Sequence, residues 1–219
     1  MQMDNIVEWY WPRWAAEAKL PIFSVRDTES SHGRYANDVK WITVKDLVKF
    51  HGHACDGLFR GAFALSVAFT VLFDDEPIDR TDLRVISRNS PCLGDVAAYL
   101  SGGRIRFNTQ DVRDEPPGVW YIIQRISHDR TVRVSEDPEL YPASLQKMES
   151  QLISHADADP EHIDRLREAQ WQWVQRVLFT KPPEASYHLE VLNETAWQDV
   201  PYGHRGLRTD VLFKNVPKA

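Results

Sequence analysis

The longest run of apolar residues predicts a buried helix. From residue 58 to residue 73 almost every position is apolar, whereas a helix at a protein surface carries polar residues along one face. The run is therefore typical of a helix in the middle of a domain. Ser66 and Thr70 interrupt it before the roughly eighteen apolar residues that a membrane span needs, so we expect no insertion into a membrane.

Shorter patterns on both sides of this run predict further strands and helices. Alternation with a period of two residues indicates strands, and apolar spacings of three and four indicate helices. The polar stretch 24–38 is typical of a loop. Strands are predicted at residues 39–44, 83–87, 104–108, 119–126, 131–134 and 187–192, and helices at residues 5–19, 44–50, 58–73, 93–100, 143–154 and 160–179. This mixture indicates an α+β protein.

Polar residues and glycines mark several of the predicted helix ends. Thr43 can cap the helix that starts at residue 44, and Asp159 followed by Pro160 is a typical start for the helix at 160–179. Gly102 and Gly103 follow the helix at 93–100, where a glycine commonly ends a helix. The chain length of 219 residues suits one compact domain, which we expect to span residues 1–219.

Charge and composition narrow the partners and the compartment. The net charge is −6 and the isoelectric point is near 5.7, so we expect neither nucleic acid nor an anionic membrane as a partner, because both favour basic surfaces. The first residues are acidic and aromatic and lack the basic start of a secretory signal. We therefore expect a cytoplasmic protein. Two cysteines are too few for a disulfide scaffold and are more typical of metal binding or catalysis.

The strongest chemical signal is the short sequence that contains His51, His53 and Cys55. Imidazole and thiolate ligands this close together suit zinc or another late transition metal. Cys55 and Cys92 each lie at the start of a predicted helix, where the helix dipole lowers the pKa of a thiol. Three alternatives stay open: the histidines cap helices in a tight turn, the cysteines are small buried apolar residues, or they act as a thiol pair.

Two motifs resemble those of the FmdE family, which takes its name from a component of formylmethanofuran dehydrogenase. The first reads FHGHACDG over residues 50–57 and the second NSPCLGD over residues 89–95. An apolar helix and a strand separate them, and a helix ending LSGG follows, in the order that the family shows. The resemblance covers residues 41 to about 134, with a helical and strand extension over about 143–219.

The resemblance implies a mixed or antiparallel sheet flanked by helices, a homodimer and a metal site. The implied ligands are His51, Cys55 and Cys92, and the implied metal is zinc or another late transition metal such as nickel or iron. His53 is a further ligand or a proton-transfer group. Asp95 can orient a ligand, transfer a proton or simply bond the first helical turn. We expect a small organic molecule to be bound or converted at this site.

Departures from the family pattern limit the chemistry. Asp56 replaces the proline of the first motif, and residues 101–103 lack the third cysteine of the family's closing sequence. An accessory protein that carries a metal or metallo-cofactor for a partner enzyme, or a thiol-based redox protein, therefore remain alternatives to a metal-dependent enzyme, as does zinc used only to hold the helix starts together. A histidine of the C-terminal tail, His204, lies between two glycines and is a further, weaker candidate.

Overall fold

The computed structural model describes residues 11–29, 38–103, 109–154, 159–193 and Trp197. In these residues eight strands form two sheets, accompanied by five α-helices. The strands are β1 (Ile22–Arg26), β2 (Lys40–Thr43), β3 (Ile78–Asp79), β4 (Leu83–Arg88), β5 (Gln110–Arg113), β6 (Trp120–Arg125), β7 (Arg130–Glu136) and β8 (Tyr187–Leu192). The helices are α1 (Val44–His51), α2 (Asp56–Phe73), α3 (Pro91–Ser101), α4 (Ala143–Ser154) and α5 (Pro160–Arg176). The predicted α+β class is confirmed.

The larger sheet is mixed and has the strand order β5-β4-β6-β7-β8. The pair formed by β4 and β5 is parallel, and the other neighbours in this sheet are antiparallel. The strands predicted at residues 119–126 and 131–134 correspond to β6 and β7, which form an antiparallel hairpin connected by a short 3₁₀ turn. Asp129 closes this turn with a φ of 47°, in the left-handed region that aspartate tolerates better than most residues.

Helix α2 forms the centre of the hydrophobic core. It packs against β6, β7 and β8 of the larger sheet and against α3 and α5. Leu58, Phe59 and Leu65 of this helix are completely buried, and each such side chain contributes about 1.5–3 kcal/mol relative to exposure in water. Because sheet and helices cover it from several sides, the helix can be apolar around nearly its whole circumference.

The same helix is long and apolar enough to cross a membrane by length and composition. It has 18 residues, and 72% of that window is buried inside the protein. Such burial is typical of a core helix. The predicted buried helix at residues 58–73 is thus confirmed, with a start two residues earlier than expected.

The helices next to the two motifs begin and end where local sequence favours it. Thr43 accepts a hydrogen bond from the Asp46 N–H while the Asp46 side chain accepts from the Thr43 N–H, which is a capping box. Gly52 ends α1 with a φ of 98° and Gly102 ends α3 with a φ of 66°. Both angles lie in the left-handed region that favours glycine.

The smaller sheet corrects the prediction for the N-terminal part of the chain. It has the order β2-β1-β3, and β1 occupies Ile22–Arg26, where residues 24–38 were predicted to be a loop. Phe23 and Val25 point into the core, so this strand is stabilised by tertiary contacts. Of the predicted helix at 5–19, the described part contains only a 3₁₀ turn, Arg13–Ala15. Residues 1–10 lie outside the described residues, as does the predicted strand at 104–108.

The C-terminal part follows the prediction closely. Asp159 caps α5 by accepting a hydrogen bond from the Glu161 N–H, and α5 ends at Arg176, before a 3₁₀ turn that covers Leu178–Thr180. Val174 and Leu178 are buried in the core. That a single domain spans the whole chain stays a prediction.

Candidate metal centre

The end of α1, the turn at Gly52 and the start of α2 bring two candidate ligands of the first motif together. His51 is the last residue of α1, and Gly52 turns the chain sharply after it. Cys55 then occupies the N-cap position of α2 in an extended conformation. His51 and Cys55 therefore lie on either side of a tight turn, and the distance between His51 Nε2 and Cys55 Sγ is 3.7 Å.

The second motif supplies the third candidate ligand. Cys92 is the second residue of α3, so it lies inside the first turn of that helix, where the prediction placed it just before the helix. Its Sγ lies 3.3 Å from the Sγ of Cys55. One ligand atom each from His51, Cys55 and Cys92 can be chosen such that all three lie within 4.8 Å of one another.

These distances fit a tetrahedral metal ion. With bonds of about 2.3 Å to sulfur and about 2.0–2.1 Å to nitrogen, zinc separates two sulfur ligands by about 3.8 Å and a sulfur from a nitrogen by about 3.6 Å. The distance from Cys55 Sγ to His51 Nε2, 3.7 Å, matches this value. The two sulfur atoms lie 3.3 Å apart. To reach the distance of about 3.8 Å around zinc, they would have to move about 0.5 Å further from each other. Thiolate and imidazole are also the ligand types that zinc and its neighbours prefer.

Asp95 holds His51 in the orientation that ligation requires. Its Oδ2 lies 2.8 Å from His51 Nδ1, and the His51 side chain is only 5% exposed whereas that of Asp95 is 40% exposed. In the tautomer that ligation needs, Nδ1–H donates a hydrogen bond to this carboxylate and Nε2 is the nitrogen that faces the sulfur atom of Cys55. Of the three roles that the sequence leaves open for Asp95, this contact supports the orientation of a ligand.

His53 lies beside the candidate ligands at the protein surface. Its ring centre is 4.4 Å from that of His51, and the residue is exposed. Burial of part of its ring lowers the pKa of His53, and His51 lowers it further when its own ring is protonated. A neutral, accessible imidazole in this place can accept a proton from a molecule that approaches the cluster.

The two thiols differ in acidity. The hydrogen bond from Cys55 lowers the pKa of Cys92 to about 7, and charge on His51 acts in the same direction against the effect of burial. The same hydrogen bond and burial raise the pKa of Cys55. The pKa of Cys55 thus moves in the opposite direction to that expected at a helix start, because its thiol hydrogen-bonds to Cys92 and is buried.

Two glycines of α2 permit the close approach that brings the sulfur atoms together. A Cβ on Gly57 would lie 3.2 Å from both Cβ and Sγ of Cys92. A Cβ on Gly61 would lie 2.5 Å from the hydroxyl of Tyr121 and 3.0 Å from Leu93 Cδ2. The Tyr121 hydroxyl in turn donates to the Leu93 carbonyl of α3 at 3.2 Å. Two glycines four residues apart lie on the same face of a helix and let a neighbouring element approach that face closely. This spacing is the signal in the sequence that could have indicated the contact.

A buried ion pair network anchors the start of α2. Arg60 donates to Asp56, one turn earlier, at 3.1 Å and to Glu136 of β7 at 2.8 Å. Its guanidinium lies 4.0 Å from the ring centre of Tyr141. Because Asp56 directly follows Cys55, this network fixes the helix turn that carries the candidate ligand. An aspartate and an arginine four residues apart on a helix are the signal that could have indicated the pair.

Helix α5 also contacts the first motif, although it lies far away in sequence. The indole N–H of Trp171 donates to the carbonyl of Ala54, between His53 and Cys55, at 3.4 Å. Trp171 further packs against Trp14 with ring centres 5.7 Å apart. No local pattern in the sequence indicates this contact, because it joins residues 117 positions apart.

The remaining weaker candidate, His204, lies outside the described residues. Within the described part of the chain, the cluster contains one histidine and two cysteines and no fourth histidine, cysteine or carboxylate ligand. Asp95 contacts the opposite nitrogen of His51 and so stands outside the ligand set. Three protein ligands is the number that catalytic zinc sites use.

One family model matches more than half of the chain. A family model described as "FmdE, Molybdenum formylmethanofuran dehydrogenase operon" matches residues 50–186. A solved structure of an FmdE-like protein from Syntrophus aciditrophicus, described by reference to tungsten formylmethanofuran dehydrogenase, has 16% sequence identity and a TM-score of 0.42, covering 70% of this chain and 74% of that chain. No curated protein matches the chain.

Proposed function

Because the chain belongs to the FmdE family, we propose that it binds one late transition metal ion, in the first instance zinc, and acts on a small organic molecule there. His51, Cys55 and Cys92 are the proposed ligands. The observation that carries the proposal is the convergence of their three ligand atoms within 4.8 Å. The resemblance of both motifs to those of the family supports the same ligand set.

Each residue of the cluster has its own role in the proposed chemistry. A bound ion would supply a Lewis acid that polarises a carbonyl or thiol group of the small molecule. Asp95 keeps the Nδ1 proton on His51 and so keeps Nε2 free for ligation. His53 is exposed beside the cluster and is the proposed group that takes up or returns a proton.

Metal analysis of the protein purified without chelator tests the ligand set. We expect about one metal ion per chain, and loss of that ion in the Cys55→Ser and Cys92→Ser double variant and in His51→Ala. His162→Ala is the matched control, because His162 lies at the exposed start of α5 and outside the cluster. A folded protein without metal, or a double variant with full metal content, would contradict the proposal.

Replacement of the native ion by Co²⁺ tests whether a position is open. Thiolate ligands give Co²⁺ an intense absorption that reports on the coordination sphere. We expect the spectrum to change when a small thiol is added, because an outside molecule can reach the remaining position. An ion held only to stabilise the helix starts would give a spectrum that does not respond to added thiol.

A thiol pair is the second candidate function, and one observation favours it. The sulfur atoms of Cys55 and Cys92 lie 3.3 Å apart, and the pKa of Cys92 is lowered to about 7. A protein that is purified without metal and loses two hydrogen atoms on mild oxidation by peroxide would support this function. Retention of both thiols under the same treatment would count against it.

The homodimer forms part of the proposal. Trp41 is 67% exposed and Ile22 is 63% exposed, and the register of β1 with β2 places both side chains on the same face of the smaller sheet. Two large apolar side chains on one open face support contact with a second copy. Light scattering after size-exclusion chromatography should give twice the mass of the chain, and a monomeric mass would contradict this part.

A further inference from the structure

A groove of about 740 Å³ lies apart from the metal centre. It opens where the ends of β4, β6 and β7 meet the segment 116–119 and helix α4, and its lining contains neither His51 nor either cysteine. Three arginines line it: Arg60, Arg88 and Arg133. The proposed function gives this groove no role, so its charged groups need a separate explanation.

The register of the larger sheet places two of these arginines on one face. Ser87 pairs with Tyr121, so Arg88 lies next to Trp120 on β6, and Trp120 pairs with Ser135 on β7. Directly opposite residues of antiparallel strands project to the same face, as do residues two apart along a strand. Arg133, two residues before Ser135, therefore projects to the same face as Arg88. Two strand spacings and two residues along the strand separate their Cα atoms by about 12 Å, which two long side chains can span together.

The acidic residues of the groove already have partners. Glu136 receives two hydrogen bonds from Arg60, which balances that arginine. Asp137 lies 3.6 Å from the ring nitrogen of His188. Two of the three carboxylates that line the groove therefore have partners.

The third carboxylate lies at the side of helix α4. Glu149 accepts hydrogen bonds from Tyr141 at 2.8 Å and from Gln170 at 2.6 Å. Burial raises the pKa of Glu149. Each of the three carboxylates that line the groove has a hydrogen-bond or ion-pair partner other than Arg88 or Arg133.

Arg88 and Arg133 form no ion pair with any carboxylate in the described part of the chain. Arg88 donates a hydrogen bond of 3.3 Å to the carbonyl of Gly118. The Nε of Arg133 is buried and has no hydrogen-bond partner among the described residues. Glu190 lies opposite Arg133 in the register, on β8, but forms no ion pair with it.

An arginine keeps its charge in a protein, so a half-buried guanidinium without a carboxylate carries an unmet cost of desolvation. Its planar donors match the oxygens of carboxylate and phosphate groups. We propose that this groove binds a small molecule through an oxyanion, a carboxylate or a phosphate group, which Arg88 and Arg133 contact together. The site is independent of the metal centre.

Calorimetric titration of the full-length protein tests the site with two probes, inorganic phosphate and succinate, at constant ionic strength set with chloride. We expect saturable binding of at least one probe, and the comparison of the two tells which oxyanion the groove prefers. Arg88→Ala and Arg133→Ala should each weaken that binding at least tenfold, since a hydrogen bond to a charged group is lost. Arg130→Ala, an exposed residue of the same strand that does not line the groove, should change it less than about twofold.

Arg88→Ala decides the test if Arg133→Ala fails to fold, because the buried Nε makes the second position more sensitive. Circular dichroism and metal content check that each variant keeps its fold and its metal centre. Absence of saturable binding for both probes would overturn the proposal. Equal binding by wild type and a folded Arg88→Ala variant would overturn it as well.

Discussion

Replacement of Gly61 by alanine tests the packing that sets the distance between the two cysteines. The new Cβ would lie 2.5 Å from the Tyr121 hydroxyl, and Tyr121 is completely buried, so its ring cannot move aside freely. Overpacking of a core costs about 1–3 kcal/mol, and loss of the Tyr121 hydrogen bond to α3 adds about 1 kcal/mol. Alanine regains about 1 kcal/mol of helix propensity.

The expected net loss is about 2 kcal/mol in the free energy of unfolding. For a chain of this size, that corresponds to a decrease of about 4–8 °C in the melting temperature. Urea denaturation of the metal-free protein measures it, because bound metal would add its own stabilisation. Gly94→Ala is the matched control. Its Cβ would meet only Gln110 Nε2 at 3.9 Å, so we expect unchanged stability or a gain of up to about 1 kcal/mol.

The same Gly61→Ala substitution in a Tyr121→Phe protein tests whether the Tyr121 hydroxyl causes the loss of stability. In a Tyr121→Phe protein the hydroxyl is absent, and the nearest ring atom would lie 3.7 Å from the new Cβ, so that the remaining close contact is with the end of the flexible Leu93 side chain at 3.0 Å. Gly61→Ala should then cost less than about 1 kcal/mol, which gives a coupling energy of about 1–2 kcal/mol between the two positions. An equal loss in both backgrounds would refute the packing argument, as would a Gly61→Ala protein as stable as the Gly94→Ala control.

Three further predictions concern the centre and its surroundings. Asp95→Asn should weaken zinc binding about 10- to 100-fold in competition with a chelating dye, while the stability of the metal-free fold stays within about 0.5 kcal/mol. In metal-free protein, alkylation by iodoacetamide should rise as pH increases through about 7, because the lowered pKa of Cys92 yields thiolate there, and Cys92→Ser should remove that phase. Arg60→Met should cost about 3–5 kcal/mol in urea denaturation, because it leaves two buried carboxylates unpaired, whereas the exposed Arg167→Met should cost less than about 0.5 kcal/mol.

The sequence predicts those elements whose signal is local. The cap at Thr43, the apolar run of α2 and the alternation of β8 each depend on neighbouring residues, and the structure confirms all three. β1 was not predicted, because Ser24 and Arg26 are polar and hide the apolar alternation of the strand. Its stability comes from pairing with β2 and from contacts with the core. β5 lies at the sheet edge and consists of mainly polar residues, so its strand conformation depends on β4.

For the candidate metal centre, too, the sequence predicts only the features that depend on neighbouring residues. The two motifs suffice to predict which residue types meet, because the pattern of imidazole and thiol groups is local to each motif. The pair formed by His51 and Asp95 joins residues 44 positions apart, and the contact between Gly57 and Cys92 depends on how closely two helices pack. Such distances follow from tertiary structure, which spacing along the chain does not encode.

The position of α2 in the chain also bears on how the protein is synthesised. Its main covering partners, α3, β6, β7, β8 and α5, all follow it in sequence, the first of them beginning at Pro91 and the sheet strands at Trp120. At about 5–20 residues per second, a ribosome needs several seconds after finishing this helix to produce them. During that interval the nascent chain carries an exposed hydrophobic helix, so this protein should depend on chaperones, and chains truncated before β7 should aggregate.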